Sequence, residues 1–181
     1  MNQKTDITTW ARDFLSGYKP EAMFLKDDIQ LSNGGGDQII KAYDGTAALI
    51  SISARCAVKQ ASYVEQDNLA HLNLAESLVC TNQLMFLCCY KAMEQRLDKI
   101  LPELTPEYLQ KNLPLMYRIC FVLEHQMSCR KNINNEDFFS EAAIVRISEG
   151  RTAYHFSAAI NHWDERGGLY RGNARYAVLK G

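Results

Sequence analysis

The sequence predicts an α+β layer fold, in which an antiparallel sheet curls around one long central helix. Three observations lead there. The stretch His71 to Tyr90, HLNLAESLVCTNQLMFLCCY, opens with a polar cluster and continues as a helix with almost no polar side, and such a helix is buried inside something else. The segments on either side of it are rich in β-branched and aromatic residues and are broken by Gly- and Asp-containing turns. With 181 residues, 47% of them hydrophobic, the chain amounts to one domain with enough apolar side chains for a full core.

The elements follow in order. Thr5 to Leu15 reads as a short helix, with Trp10, Phe14 and Leu15 on one side and Gly17 just past its end. Met23 to Leu31 suits a strand. Ser32-Asn33-Gly34-Gly35-Gly36 reads as a hairpin turn, not a phosphate loop, because no Lys-Ser/Thr pair follows. Asp37 to Tyr43 and Ala47 to Val58 read as strands joined at Asp44-Gly45. The long helix runs from about Asn73 to Glu94. Asn73 suits its N-cap, and Glu76, three residues on, completes a variant of the capping box. Leu97 to Leu113 is a connector holding a second start signal, Thr105-Pro106-Glu107. Tyr117 to Cys129, Ala142 to Ile147, Thr152 to His162 and Leu169 to Leu179 then read as strands. Their turns fall at Glu149-Gly150 and Arg166-Gly167-Gly168.

Composition narrows the function classes. A net charge of −1 argues against a phosphate-tracking nucleic-acid surface and a polybasic membrane patch. The opening MNQKTDITTWARDF lacks the apolar run of a signal peptide, and no window is apolar enough to span a bilayer, so a cytoplasmic protein is expected. The six cysteines form no CxxC pair and no zinc spacing with histidine. They read as small core residues in a reducing compartment, and no metal or cofactor is expected. His125, His155 and His162, in strand-like stretches without metal spacing, read as structural.

Candidate chemistry gathers at the start of the long helix. Tyr63, His71 and Asn73 precede or open it. Unpaired N–H groups and the positive dipole end there can hold negative charge developing on a carbonyl oxygen. His71 can move a proton or position a water, and Tyr63 can donate to a carbonyl or carboxylate. The plainer alternative stands beside it: Asn73 only caps, His71 is a loop residue and Tyr63 ends a strand. Further along, Ala75, Leu78, Val79, Asn82, Met85, Phe86 and Cys89 recur with helical period, so Asn82 is an amide on an apolar stripe. A buried amide needs partners, or else it serves a bound acyl group. No Gly-x-Ser-x-Gly elbow occurs, and Glu76 does not share the Asn82 face; if Asn82 occupies the inner face, the mid-helix carries an amide rather than a carboxylate and no helix-borne general base.

These residues resemble the FcoT-like thioesterase family, a branch of the hot-dog fold. The resemblance is carried by Tyr63…His71-Leu72-Asn73…Glu76…Cys80-Thr81-Asn82-Gln83-Leu84. It returns in His162-Trp163-Asp164-Glu165-Arg166-Gly167-Gly168, similar to the family's W-D-x-x-G-G turn, and in Tyr18 before the first strand. The resemblance implies a homodimer or higher homo-oligomer with the site at the subunit interface. It implies fatty acyl thioesters of coenzyme A or an acyl carrier protein as substrates; the near-neutral charge adds the expectation of no nucleic-acid or membrane partner. Tyr18, Tyr63, Asn82 and His71 carry over as the catalytic group. Asn73, Leu72, Leu74 and Trp163 carry over as substrate-binding residues. Some members add glycine to the β-carbon of an α,β-unsaturated acyl thioester and then hydrolyse it, supplying macrolactam starters and isonitrile lipopeptides. That dual activity is expected here, with plain hydrolysis or non-catalytic acyl binding as alternatives. The loop Val64 to Ala70, seven residues, is longer than the family's typical one, which admits another amine or none.

Overall fold

A computed structural model of the chain describes residues 7–34, 38–58, 71–94 and 120–180. The first part holds helix α1 (Ile7–Phe14), a single 3-10 turn (Pro20–Ala22) and strands β1 (Leu25–Asn33), β2 (Ile40–Lys41), β3 (Ala47–Ala48) and β4 (Ile50–Cys56). Helix α2 (Leu74–Glu94) follows, then β5 (Cys120–Lys131), β6 (Phe138–Glu149), β7 (Ala153–Trp163) and β8 (Leu169–Leu179). Six strands form one antiparallel sheet in the order β1-β4-β6-β7-β8-β5, and β2 and β3 pair separately. The expectation of a sheet around a long helix is met.

The core lies between α2 and one face of this sheet. Cys80, Leu84, Met85, Leu87 and Cys88 of α2 are fully buried, as are Ile52, Phe138, Ile144, Phe156, Ile160 and Tyr176 of the strands. Five of the six cysteines are buried. Burial pushes the thiols of Cys80, Cys88, Cys89 and Cys120 upward, which keeps them protonated and inert as nucleophiles. One stripe of α2 is left open by the described residues: Leu74 and Ala75 are exposed, and Leu78, Val79 and Asn82 are half-buried. Among the described residues no helix is long and apolar enough to cross a membrane.

The structure departs from the expected elements in four places. Ala47 to Val58 is not one strand, because the chain changes layer at Leu49. Its N–H donates to the Ile144 carbonyl, while β3 before it pairs with β2. The β2–β3 hairpin turns at Asp44-Gly45 as expected, with Gly45 at φ +85°. It lies on the outer face of β6, where Ala42, Ala48 and Ala143 pack closely beside Ile40 and Val145. Of the strand expected over Asp37 to Tyr43, the described residues 38–43 form strand only at Ile40–Lys41. The hairpin turn expected at Ser32 to Gly36 does not join paired strands, since β1 and β2 belong to different sheets. Finally, β6 starts at Phe138, ahead of the expected Ala142. Its early part hides a buried carboxylate: Glu141 Oε2 accepts from the Tyr43 N–H (2.7 Å) and from Asn161 Nδ2 (3.1 Å). The connector Leu97 to Leu113 and its start signal lie outside the described residues, as do Thr5, Gly35, Gly36, Asp37, Tyr63, the loop Val64 to Ala70 and Tyr117.

Candidate active site

The start of α2 is built by a reciprocal capping box. Asn73 Oδ1 accepts from the Glu76 N–H at 3.0 Å, and Glu76 Oε2 accepts from the Asn73 N–H at 3.1 Å. Glu76 is buried, so its carboxylate is committed to the cap. Two longer-range bonds fix the residue before the cap. The Leu72 N–H donates to the Ile133 carbonyl (3.0 Å), and the Tyr170 hydroxyl donates to the Leu72 carbonyl (2.6 Å). Leu72 itself is fully buried, whereas His71 and Leu74 on either side are exposed.

The Trp-Asp turn between β7 and β8 supports this anchor. Asp164 Oδ1 accepts from the N–H groups of Arg166 (2.9 Å) and Gly168 (2.7 Å), and Oδ2 accepts from Asn134 N–H (2.7 Å). Burial raises the Asp164 pKa, but the three N–H donors outweigh it and hold the carboxyl below its usual range. Gly167 sits at φ +82°, and a Cβ on Gly168 would lie 2.5 Å from the Asn132 carbonyl, so both positions require glycine. Asp164 thus ties the turn to the 132–134 segment, which in turn holds Leu72 through Ile133. Trp163 points the other way. Residues alternate across a strand, and His162 faces α2, so Trp163 lies on the outer face. There it stacks on Tyr43 (centroids 4.0 Å apart) and on Phe139 (5.6 Å). Within one chain it is not brought to the helix start.

Asn82 sits half-buried on the open stripe of α2. Its Oδ1 accepts from the Tyr176 hydroxyl at 2.6 Å. The Nδ2 group has no partner among the described residues, so two N–H donors face the stripe. Burial raises the pKa of Tyr176, and the charges of Cys120, Cys89, Tyr18 and Cys88 raise it further, so the phenol stays protonated as the donor. Tyr18 is half-buried and packs against the same core. The structure therefore brings Asn82 and Tyr176 together on the open stripe, and His71, Leu72 and Asn73 together at the helix start. Nine residues of α-helix separate Asn73 from Asn82, about 13 Å along the axis.

Sequence reasoning missed three of these side chains. Tyr176 and Tyr170 fall on a strand where tyrosine is ordinary, and only the tertiary pairing shows their role. Gln83 is buried beside Asn82: its Oε1 accepts from the N–H groups of Phe24 (3.2 Å) and Leu25 (3.4 Å), and its Nε2 donates to the Ala22 carbonyl (2.6 Å). It ties the helix to the head of β1. Of the histidines expected to be structural, one is tied firmly into the core. His162 is fully buried, with Nε2 2.8 Å from Ser77 Oγ and Nδ1 2.7 Å from Ser140 Oγ. Burial, then the charge of His125, lowers its pKa to about 3, so it bridges helix and sheet as a neutral ring. Among the described residues no group of His, Cys, Asp or Glu is arranged to hold a metal ion.

Comparison with known proteins agrees with this architecture. The model of a family described as the FcoT-like thioesterase domain matches residues 14–178. No curated protein matches the sequence. Among solved structures, a mutant thioesterase from Pseudomonas aeruginosa superimposes with a TM-score of 0.52 at 13% identity, covering 98% of this chain and 96% of the other. A thioesterase family protein from Silicibacter pomeroyi gives 0.50 at 12% identity, covering 96% and 98%. At such identities the likeness speaks to the fold, which is the hot-dog arrangement.

Proposed function

Because this chain belongs to the FcoT-like thioesterase family, we propose that it binds a fatty acyl thioester, on coenzyme A or an acyl carrier protein, and hydrolyses it. Where the acyl group is α,β-unsaturated, an amine such as glycine first adds to the β-carbon. The observation that carries the reading is the fixed carboxamide of Asn82. With its oxygen held by Tyr176, it offers N–H donors to a carbonyl oxygen on an apolar stripe. Exposed Leu74 and half-buried Leu78 and Val79 line the way along the helix, a path suited to an acyl tail.

In this reading the site is completed by a second copy of the chain. The helix start and Asn82 are too far apart to serve one carbonyl from a single helix. Two antiparallel helices related by a two-fold axis would set the start of each against Asn82 of the other. Strand β5, at the sheet edge among the described residues, supports such pairing: it is twelve residues long, and Phe121, Val122 and Leu123 on it are exposed. His71 then positions the attacking water, which adds to the carbonyl carbon; the C–S bond breaks and the thiol leaves with a proton. In the addition step His71 takes the proton from the amine, and the α-carbon is protonated. Tyr63 and Asn73 hold the polar part of the substrate, and Tyr18 lies toward the carbonyl.

The test is direct. The purified protein is incubated with saturated and 2-enoyl thioesters of coenzyme A and of a carrier protein, with and without glycine, and products are read by mass. Free acid establishes hydrolysis, and an N-carboxymethyl-3-amino acid establishes addition. Tight binding with neither product would overturn the enzymatic reading in favour of an acyl-binding protein.

A further inference from the structure

We propose that the outer face of the sheet carries a binding site for a phosphoryl group, formed by Arg146, Ser148, His155, Ser157 and Arg175. These five residues line a cavity of about 300 Å³. They come from three adjacent strands in register. Arg146 of β6 lies opposite Ser157 of β7, which lies opposite Arg175 of β8, and Ser148 lies opposite His155 in the neighbouring row. All five point away from α2, because Ile147, Phe156 and Tyr176, their strand neighbours, pack on the core side.

A bulge places the first arginine. Ile144 pairs with Ala158 and Arg146 with Ser157, leaving Val145 as an extra residue in β6. Val145 packs under the β2–β3 hairpin, and Arg146 emerges on the same face beside it. Two guanidinium groups thus flank Ser157, one strand to each side.

The donors of this cluster are mostly unused. The side chains of Arg146, Ser148 and Ser157 make no hydrogen bond among the described residues, and His155 Nδ1 is buried without a partner. Arg175 has a single ion pair, to Glu124 at 3.4 Å, which leaves most of its fork free. Like charges across one strand repel unless an anion lies between them. Arginine forks, hydroxyls and an imidazole are the donor set that recognises a tetrahedral oxyanion. The near-neutral charge of the whole chain conceals this local concentration.

The experiment is calorimetric titration of the full chain with inorganic phosphate, 3′,5′-adenosine bisphosphate, coenzyme A and dephospho-coenzyme A. Binding is read without turnover, so this site stands or falls separately from the thioester reading. The expected result is saturable binding that weakens by about tenfold or more in Arg146→Gln/Arg175→Gln, as loss of two charge-assisted contacts requires. Arg130→Gln, an exposed arginine elsewhere on β5, leaves it unchanged. Coenzyme A binding more tightly than dephospho-coenzyme A identifies a nucleotide phosphate as the ligand; inorganic phosphate binding as tightly as the nucleotides identifies the free ion. Absence of saturable binding by all four probes, or binding unaltered in the double variant, overturns the proposal.

Discussion

Tyr176 donates to Asn82 Oδ1 at 2.6 Å, and this one bond decides which end of the carboxamide faces the open stripe of α2. Removing the hydroxyl in Tyr176→Phe frees the amide to rotate. Loss of one such bond is about 1 kcal/mol, so kcat is expected to fall by about fivefold to tenfold with KM little changed. Steady-state kinetics on an acyl thioester would check it; an unaltered kcat would show that the amide orientation is immaterial.

Replacing the amide itself is expected to cost more. Asn82→Asp keeps the shape but replaces two donors with an acceptor-only group, which repels a developing oxyanion. Turnover should drop by about 100-fold or more, the usual effect of losing an oxyanion donor. A carboxylate that raised turnover instead would mean that the site wants a general base there.

The cap at Asn73 has its own signature. Asn73→Ala removes the acceptor for the Glu76 N–H and breaks the reciprocal box. Unfolding stability should fall by about 1 kcal/mol, while Asn73→Asp should retain most of it. Urea denaturation of the two variants separates capping from any contact with substrate.

Gln83 anchors the head of β1 through three hydrogen bonds. In Gln83→Leu the N–H groups of Phe24 and Leu25 and the Ala22 carbonyl lose their partner beside the core. The expected cost is about 3 kcal/mol, large enough to see as a shift of several degrees in the melting temperature. A variant as stable as the parent would mean that the head of β1 finds other partners.

Acid should destabilise the protein through His162. Its pKa falls from 6.5 to about 3 on folding, chiefly by burial, so the unfolded chain takes up a proton first as pH drops. The stability held by the neutral ring is complete above the unfolded value and is lost as pH falls from about 6.5 toward 3, at about 1.4 kcal/mol per pH unit. His125 is lowered by burial as well and acts with the same sign. Urea midpoints at pH 7 and pH 5 measure the slope. In His162→Gln the slope should be shallower, and an equal slope would assign acid sensitivity to other groups.

What could be read in the sequence follows from the range of the interaction. The capping box spans three residues, and both partners stood where expected. The Asp44-Gly45 turn and strand β8 rest on local chemistry too, and β8 matches its expected bounds. Asn82 stood out as an amide among apolar neighbours, but its partner lies 94 residues away and carries no local mark. The break at Leu49 was hidden because Ala47 to Val58 alternates and branches like one strand. Only the pairing of Leu49 N–H with Ile144 shows where the chain leaves one layer for the other. The head of β6 is hidden in the sequence because Glu141 suggests solvent, while the Tyr43 N–H and Asn161 amide that donate to it beneath the surface come from distant segments. Ser157 and the four residues around it are scattered over thirty positions, and only strand registration gathers them.

Both phenols that grip α2, Tyr170 and Tyr176, belong to the last strand and share one side of it. Sliding that strand by a single step against β7 would turn the pair outward together. A molecule threaded wrongly at its C-terminal end would lose its helix clamp and its oriented amide in the same error, so faulty copies would be silent rather than promiscuous.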